Sequence, residues 1–168
     1  MHDARYAGVV TTPQTPGEQI AEAIGQLLRK SSRSRLYGEL TAGLAGNLDE
    51  ATYPVLSALG RFGPLSAAAL GAEIGLDRSV VSRHATRLEA DGLLRRQPDP
   101  HDARASLLVL TDQGEQVVAE LRRRLAARLD GYLEDWPQEH AETFARLLGR
   151  FATGAWAGPA DEWAGPAS

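Results

Sequence analysis

Along most of the chain, apolar residues recur at steps of three and four, the spacing of one face of an α-helix. Ile20, Ile24, Leu27, Leu28, Leu36, Leu40 and Leu44 trace one such stripe and predict a single long amphipathic helix from Glu18 to about Asn47. Val55, Leu56 and Leu59 mark a second helix, which starts between Asp49 and Thr52 and stops at Phe62, before Gly63-Pro64. Ser66 and Asp77 then stand where N-caps are needed, and Gly75 and Gly92 where left-handed stops are needed. They frame two helices, 67–74 and 78–91, joined by a tight turn at Gly75, which is the helix-turn-helix pattern. After Gly92 the period changes. Leu93-Leu94 leads into Arg95-Arg96, and Leu107 to Leu110 forms a second short apolar run, with a polar loop from Pro98 to Arg104 between them. The reading is a β-hairpin, or wing. Thr111 caps a long helix over 112–134, carrying Val117, Val118, Leu121, Leu125, Leu129 and Leu133. Past Trp136-Pro137, a last helix over 137–151 carries Phe144, Leu147, Leu148 and Phe151.

The expected organisation is an extended arm over 1–17, an N-terminal dimerisation helix over 18–48, and a winged helix-turn-helix over 49–110. Within the last, the recognition helix covers 78–91 and the wing 93–110. C-terminal dimerisation helices over 111–153 and a tail over 154–168 complete it. Thr12-Pro13 and Thr15-Pro16 argue for extended chain in the arm. In the tail, Trp156 to Ala160 recurs as Trp163 to Ala167. Its Gly, Pro and Ala content reads as low-complexity chain, with a docking tail on two aromatic anchors as the alternative. The fold class is therefore mostly α with a small β-hairpin wing.

Composition narrows the chemistry. The absence of cysteine removes disulfides, thiolate zinc sites and cysteine redox sensing. There is no apolar run long enough to span a membrane and no basic-then-apolar leader pattern, so a cytoplasmic protein is expected. His2, His84, His101 and His140 are scattered without metal-ligand spacing, and no nucleophile, phosphate loop or dinucleotide fingerprint is visible. Neither an enzyme nor a metal or cofactor site is expected. The formal charge of −4 argues mildly against nucleic acid, but its distribution argues the other way. From Arg78 to Arg104, six arginines face four acidic residues for a net of +2, leaving −6 for the rest of the chain.

On the helix from Arg78, Val81, Ala85 and Leu88 share one face and can pack inward. The opposite side presents Arg78, Ser79, Ser82, Arg83, Thr86 and Arg87. A helix fits the major groove of duplex DNA, arginine can bond guanine through two donors, and hydroxyls can serve bases or phosphates. The free amides at the helix start near Ser66 can hold a phosphate. A solvated helix face with ordinary charges is the competing reading of this helix taken alone.

The wing adds to this. Asp99-Pro100-His101-Asp102-Ala103-Arg104-Ala105, followed by Leu110-Thr111-Asp112-Gln113-Gly114, resembles the MarR family of winged helix-turn-helix regulators. Leu88 to Arg96 is similar to the family's exit from its recognition helix, and the order of elements agrees over about residues 18–153. The resemblance implies a homodimeric transcriptional regulator, a ligand-responsive repressor that binds double-stranded DNA at a pseudo-palindromic operator. It implies that Arg104 enters the minor groove and that Asp102 pairs with it and holds its direction. His101 and His84 depart from the family, which commonly has a basic residue at the first position and an aliphatic one at the second.

The expected DNA-binding residues are Ser66, Arg78, Ser79, Ser82, Arg83, Arg87, Asp102 and Arg104. The resemblance also implies a small aromatic or anionic effector, with Arg35, Tyr37, Tyr53 and Trp136 as candidate lining residues. The alternative function is a winged-helix protein-interaction module without specific DNA binding, for which the acidic total charge is the best support.

Overall fold

The computed structural model describes residues 15–44, 48–100 and 105–154, and divides into two compact units between Arg123 and Arg124. In chain order the elements are α1 (Pro16–Leu28), α2 (Lys30–Thr41), α3 (Tyr53–Phe62), β1 (Leu65–Ser66), α4 (Ala67–Ile74) and α5 (Arg78–Ala90). The wing strands β2 (Leu94–Pro98) and β3 (Ser106–Leu110) follow, then α6 (Asp112–Leu133) and α7 (Gln138–Gly154).

The single N-terminal helix read from the apolar stripe is two helices. Arg29 leaves helical backbone, with φ −57° and ψ 136°, and α2 restarts at Lys30. The break falls in the polar run Arg29 to Arg35, where no apolar side chain ties the helix to a neighbour. The helix also begins earlier than read, inside the segment assigned to the arm. Thr15 and Glu18 form a capping box: the Glu18 amide donates to Thr15 Oγ1 at 3.2 Å and the Thr15 amide to Glu18 Oε2 at 2.7 Å. Pro16 occupies the first turn, where its missing N–H costs nothing.

The core of the first unit is built from α3, α4, α5, the sheet and the start of α6. Val55, Leu56, Leu70, Val81, Ala85, Leu88, Leu93 and Leu108 are fully buried there. The predicted inward face of the recognition helix is thus the observed one. The wing has a third member that the sequence reading lacked. The two-residue β1 pairs antiparallel with β3, Leu65 opposite Leu108, giving the order β1-β3-β2. A run that short carries no alternation to read. β2 and β3 pair from Leu94–Leu110 to Pro98–Ser106.

The joint between recognition helix, wing and α6 explains the Leu-Thr-x-x-Gly stretch physically. At the end of α5, Gly92 takes φ +73°, its amide donates to Glu89 O at 3.0 Å, and the Leu93 amide donates to Leu88 O at 2.9 Å. That is a Schellman stop. The Thr111 hydroxyl donates to Gly92 O at 2.6 Å and accepts from the Gly114 amide at 3.1 Å, while the Thr111 amide donates to Leu93 O at 3.1 Å. One threonine therefore caps α6 and ties it to the turn below the recognition helix. Gly114 lies against that same Leu93 carbonyl, which occupies the space a Cβ would need.

In the second unit, Trp136 packs on Phe144 with ring centroids 5.6 Å apart. Phe144, Leu147, Leu148 and Phe151 lie on one stripe of α7, and all four are exposed. Ile20, Leu27 and Leu28 of α1 are exposed as well.

Candidate DNA interface

The recognition helix α5 is set by its caps. Asp77 Oδ1 accepts from the Ser79 amide and from the Ser79 hydroxyl, both at 2.7 Å. These two bonds, the hydroxyl first, hold the Asp77 carboxyl below its ordinary pKa. α4 begins in the same way, with the Ala69 amide donating to Ser66 Oγ at 3.2 Å. Between the two helices Gly75 is left-handed at φ +67° and the Leu76 amide donates to Gly71 O at 3.0 Å, which closes the helix-turn-helix turn.

This geometry leaves Arg78, Ser79, Arg83 and Thr86 exposed and Ser82 and Arg87 half-buried. Ser66, Arg78 and Ser82 come together with Arg96 and Ser106 around a cleft of about 370 Å³, between the start of α4, the recognition helix and the wing. Arg83 is exposed one residue beyond Ser82 and is not part of that lining. Ser79 is on the same helix, but its hydroxyl already donates to Asp77. Arg87 is turned elsewhere: Nη2 donates to Asp49 Oδ2 at 2.8 Å. Both partners are over 40% exposed, so the pair itself contributes only ~0–1 kcal/mol. Asp49 also accepts from the amides of Ala51 and Thr52 at 3.0 and 2.9 Å, so Arg87 anchors the end of the recognition helix to the turn before α3. Burial pushes the Asp49 carboxyl up, but the bonds from Arg87 and Thr52 together outweigh it and hold the group below its usual value. Asp102 and Arg104, and His101 with them, lie outside the described residues.

Sequence reasoning missed Arg96. From the wing it reaches α5, where Nε donates to Glu89 Oε2 at 3.2 Å and Nη2 lies 3.3 Å from Thr86 Oγ1 and 3.4 Å from Ser82 O. The strand pattern could have placed Arg96 on the wing, but the packing angle that brings it to the helix is a tertiary fact.

Behind the recognition helix lies a second cleft of about 320 Å³, lined by Lys30, Arg33, Tyr37, Pro54, Leu76 and His84 among others. Of the expected effector residues, only Tyr37 lines it. Tyr37 stacks on the buried Tyr53 at 4.4 Å, Arg35 is exposed on α2, and Trp136 belongs to the second unit. His84 is 8% exposed, and its Nδ1 has no hydrogen-bond partner among the described residues. Burial first, then the positive charges of Arg83 and Arg87, lower its pKa against the opposing pull of Asp49. The neutral imidazole is therefore the favoured form at neutral pH.

A cap-defined helix pair, an exposed arginine and hydroxyl face and a three-stranded wing beside it define a winged helix-turn-helix DNA-binding regulator. The comparisons with known proteins agree. A family model described as MarR family matches residues 47–105. The HTH-type transcriptional regulator YxaD of Bacillus subtilis is 32% identical over 137 residues, covering 82% of this chain and 93% of that protein. The chain belongs to the MarR family. Among solved structures, a MarR family protein from Bacillus stearothermophilus shares the fold at TM-score 0.67 and 21% identity, covering 83% of this chain and 97% of that one. The PcaV transcriptional regulator from Streptomyces coelicolor, in complex with its natural ligand, is 29% identical at TM-score 0.51, covering 92% and 99%. The chain is thus a DNA-binding transcriptional regulator. No helix among the described residues is long and apolar enough to cross a membrane.

Proposed function

We propose that this protein binds a pseudo-palindromic operator in duplex DNA as a cytoplasmic homodimer and represses transcription until a small effector binds. The observation that carries the reading is the outward face of α5 beside the Ser66–Arg78–Ser82 cleft, opposite a fully buried face. Arg78, Ser79, Ser82 and Arg83 contact base edges or nearby phosphates from the major groove. The first amides of α4, other than the one Ser66 caps, hold a phosphate. Arg104, directed by Asp102, enters the narrow minor groove. Arg87 serves the backbone only by leaving Asp49. A single recognition helix reads few bases, so two copies on half-sites about one helical turn apart give the specificity.

The expected result is a steep fall of affinity with salt, because released counterions drive binding. Arg78→Ala and Arg104→Ala each weaken binding and reduce the magnitude of the slope of log affinity against log salt by about one. Unchanged affinity and slope in both variants would remove this interface.

The cleft behind α5 favours an effector with an anionic group and a ring. Lys30 and Arg33 outnumber the one carboxylate of the lining, Glu50, and Tyr37 and Pro54 supply apolar surface. Occupancy acts on DNA binding only if the effector binds one arrangement of the recognition helices better than the other. PcaV, 29% identical, was solved with its natural ligand, which supports a ligand-responsive reading here. Titrating benzoate as the probe is expected to shift the NMR resonances of Tyr37 and His84 and to weaken DNA binding. Silence at both positions with a panel of aromatic carboxylates would remove the effector site.

A further inference from the structure

We infer that Arg96 is a positioning residue for DNA reading: it clasps the wing to the recognition helix and so sets the distance between the two elements that enter the grooves. The inference rests on the DNA-binding reading above. Arg96 sits in the middle of β2, opposite Leu108 of β3. Its acceptors on α5 are Ser82 O, Thr86 Oγ1 and the Glu89 carboxylate, which fall at steps of four and three and so share one stripe of the helix. Thr86 Oγ1 itself donates to Ser82 O at 3.0 Å, so the acceptors are held as a group. A planar guanidinium can present Nε and Nη2 along one edge to such a row, and a lysine ammonium cannot.

The pair Arg96–Glu89 is about one-third exposed on each side, so its effect on global stability is small. Its consequence is orientation. Specific binding requires α5 in the major groove and the wing in the minor groove at once, and a small error in their spacing costs one set of contacts. Binding to random duplex rests on phosphate attraction and does not need that spacing. The clasp also spends the Arg96 charge on Glu89, which separates this role from a simple phosphate contact.

The test is a titration of the unsubstituted protein, Arg96→Lys, Arg96→Met and Glu89→Gln against operator and random duplex at several salt concentrations, with thermal melting as the control for folding. Arg96→Lys keeps the charge and is expected to lower the operator-to-random ratio about tenfold, with the larger loss falling on operator affinity. Glu89→Gln is expected to lower the ratio while strengthening random binding, because a negative charge is removed and an arginine freed. Arg96→Lys with an unsubstituted-level ratio would overturn the inference. So would an Arg96→Met variant that weakens both duplexes equally and reduces the slope by about one, since both results mark a phosphate contact. An unsubstituted protein without operator preference would instead fail the DNA-binding reading, and this inference with it.

Discussion

Gly114→Ala is expected to destabilise the protein by about 3 kcal/mol, against the direction of helix propensity. Gly to Ala inside a helix normally stabilises by up to ~1 kcal/mol. Here the added methyl would overlap the Leu93 carbonyl oxygen. That oxygen cannot move aside cheaply. It accepts from the Thr111 amide, and the adjacent Gly92 carbonyl accepts from the Thr111 hydroxyl. Displacing it would open the joint that seats α6 against the turn below the recognition helix. In a chain of this length the change corresponds to a fall in melting temperature of about 6–12 °C. Gly131, in the same helix, has nothing within 4 Å of the position of a Cβ. Gly131→Ala should therefore be neutral or stabilising by up to ~1 kcal/mol. Paired thermal melts check both, and equal melting temperatures for the two variants would refute the joint as described.

Leu148→Glu is expected to separate the proposed dimer and lower operator affinity by about two orders of magnitude. Phe144, Leu147, Leu148 and Phe151 are 45%, 48%, 50% and 37% exposed on one helical stripe. Four large apolar side chains in a row are a surface that needs a cover. The exposed Ile20, Leu27 and Leu28 of α1 add a second such patch. In the proposed dimer a glutamate in that stripe is a buried charge without a partner, which typically costs 3–5 kcal/mol. Two half-site contacts then no longer act as one binding event. Sedimentation velocity reads the mass and a DNA titration reads the affinity. A variant that stays dimeric with unchanged operator affinity would place the interface elsewhere.

The sequence was most legible where one residue type has one structural use. Ser66, Asp77, Gly75 and Gly92 mark helix ends because few other residues satisfy those backbone groups, and the observed helices α4 and α5 begin and end on them. Val81, Ala85 and Leu88 share one face at helical spacing, and that apolar face is the buried one. It was least legible where tertiary contact decides. The apolar stripe ran through Arg29 without a Gly or Pro to signal the break; the Thr15–Glu18 capping box that starts α1, by contrast, is a local signal, overridden by reading the arm's prolines as extended chain. β1 is too short to show a period. Arg87 and Arg96 differ in role from Arg78 only through what they meet: Asp49 for the first, Ser82, Thr86 and Glu89 for the second. Those partners lie 38 and between 7 and 14 residues away in sequence, so no local pattern announces them.

In the proposed function, the outward face of α5 and the wing together read a specific duplex. The most direct test is a fluorescence-polarisation titration of the purified protein against the DNA upstream of its own gene and against random duplex, each at two salt concentrations. The expected result is a preference of about 10³-fold or more for a site within the upstream DNA, together with a steep loss of affinity at the higher salt. Equal, salt-insensitive binding to both duplexes, persisting when selected random sequences are screened, would contradict it and leave the winged helix as a protein-interaction module.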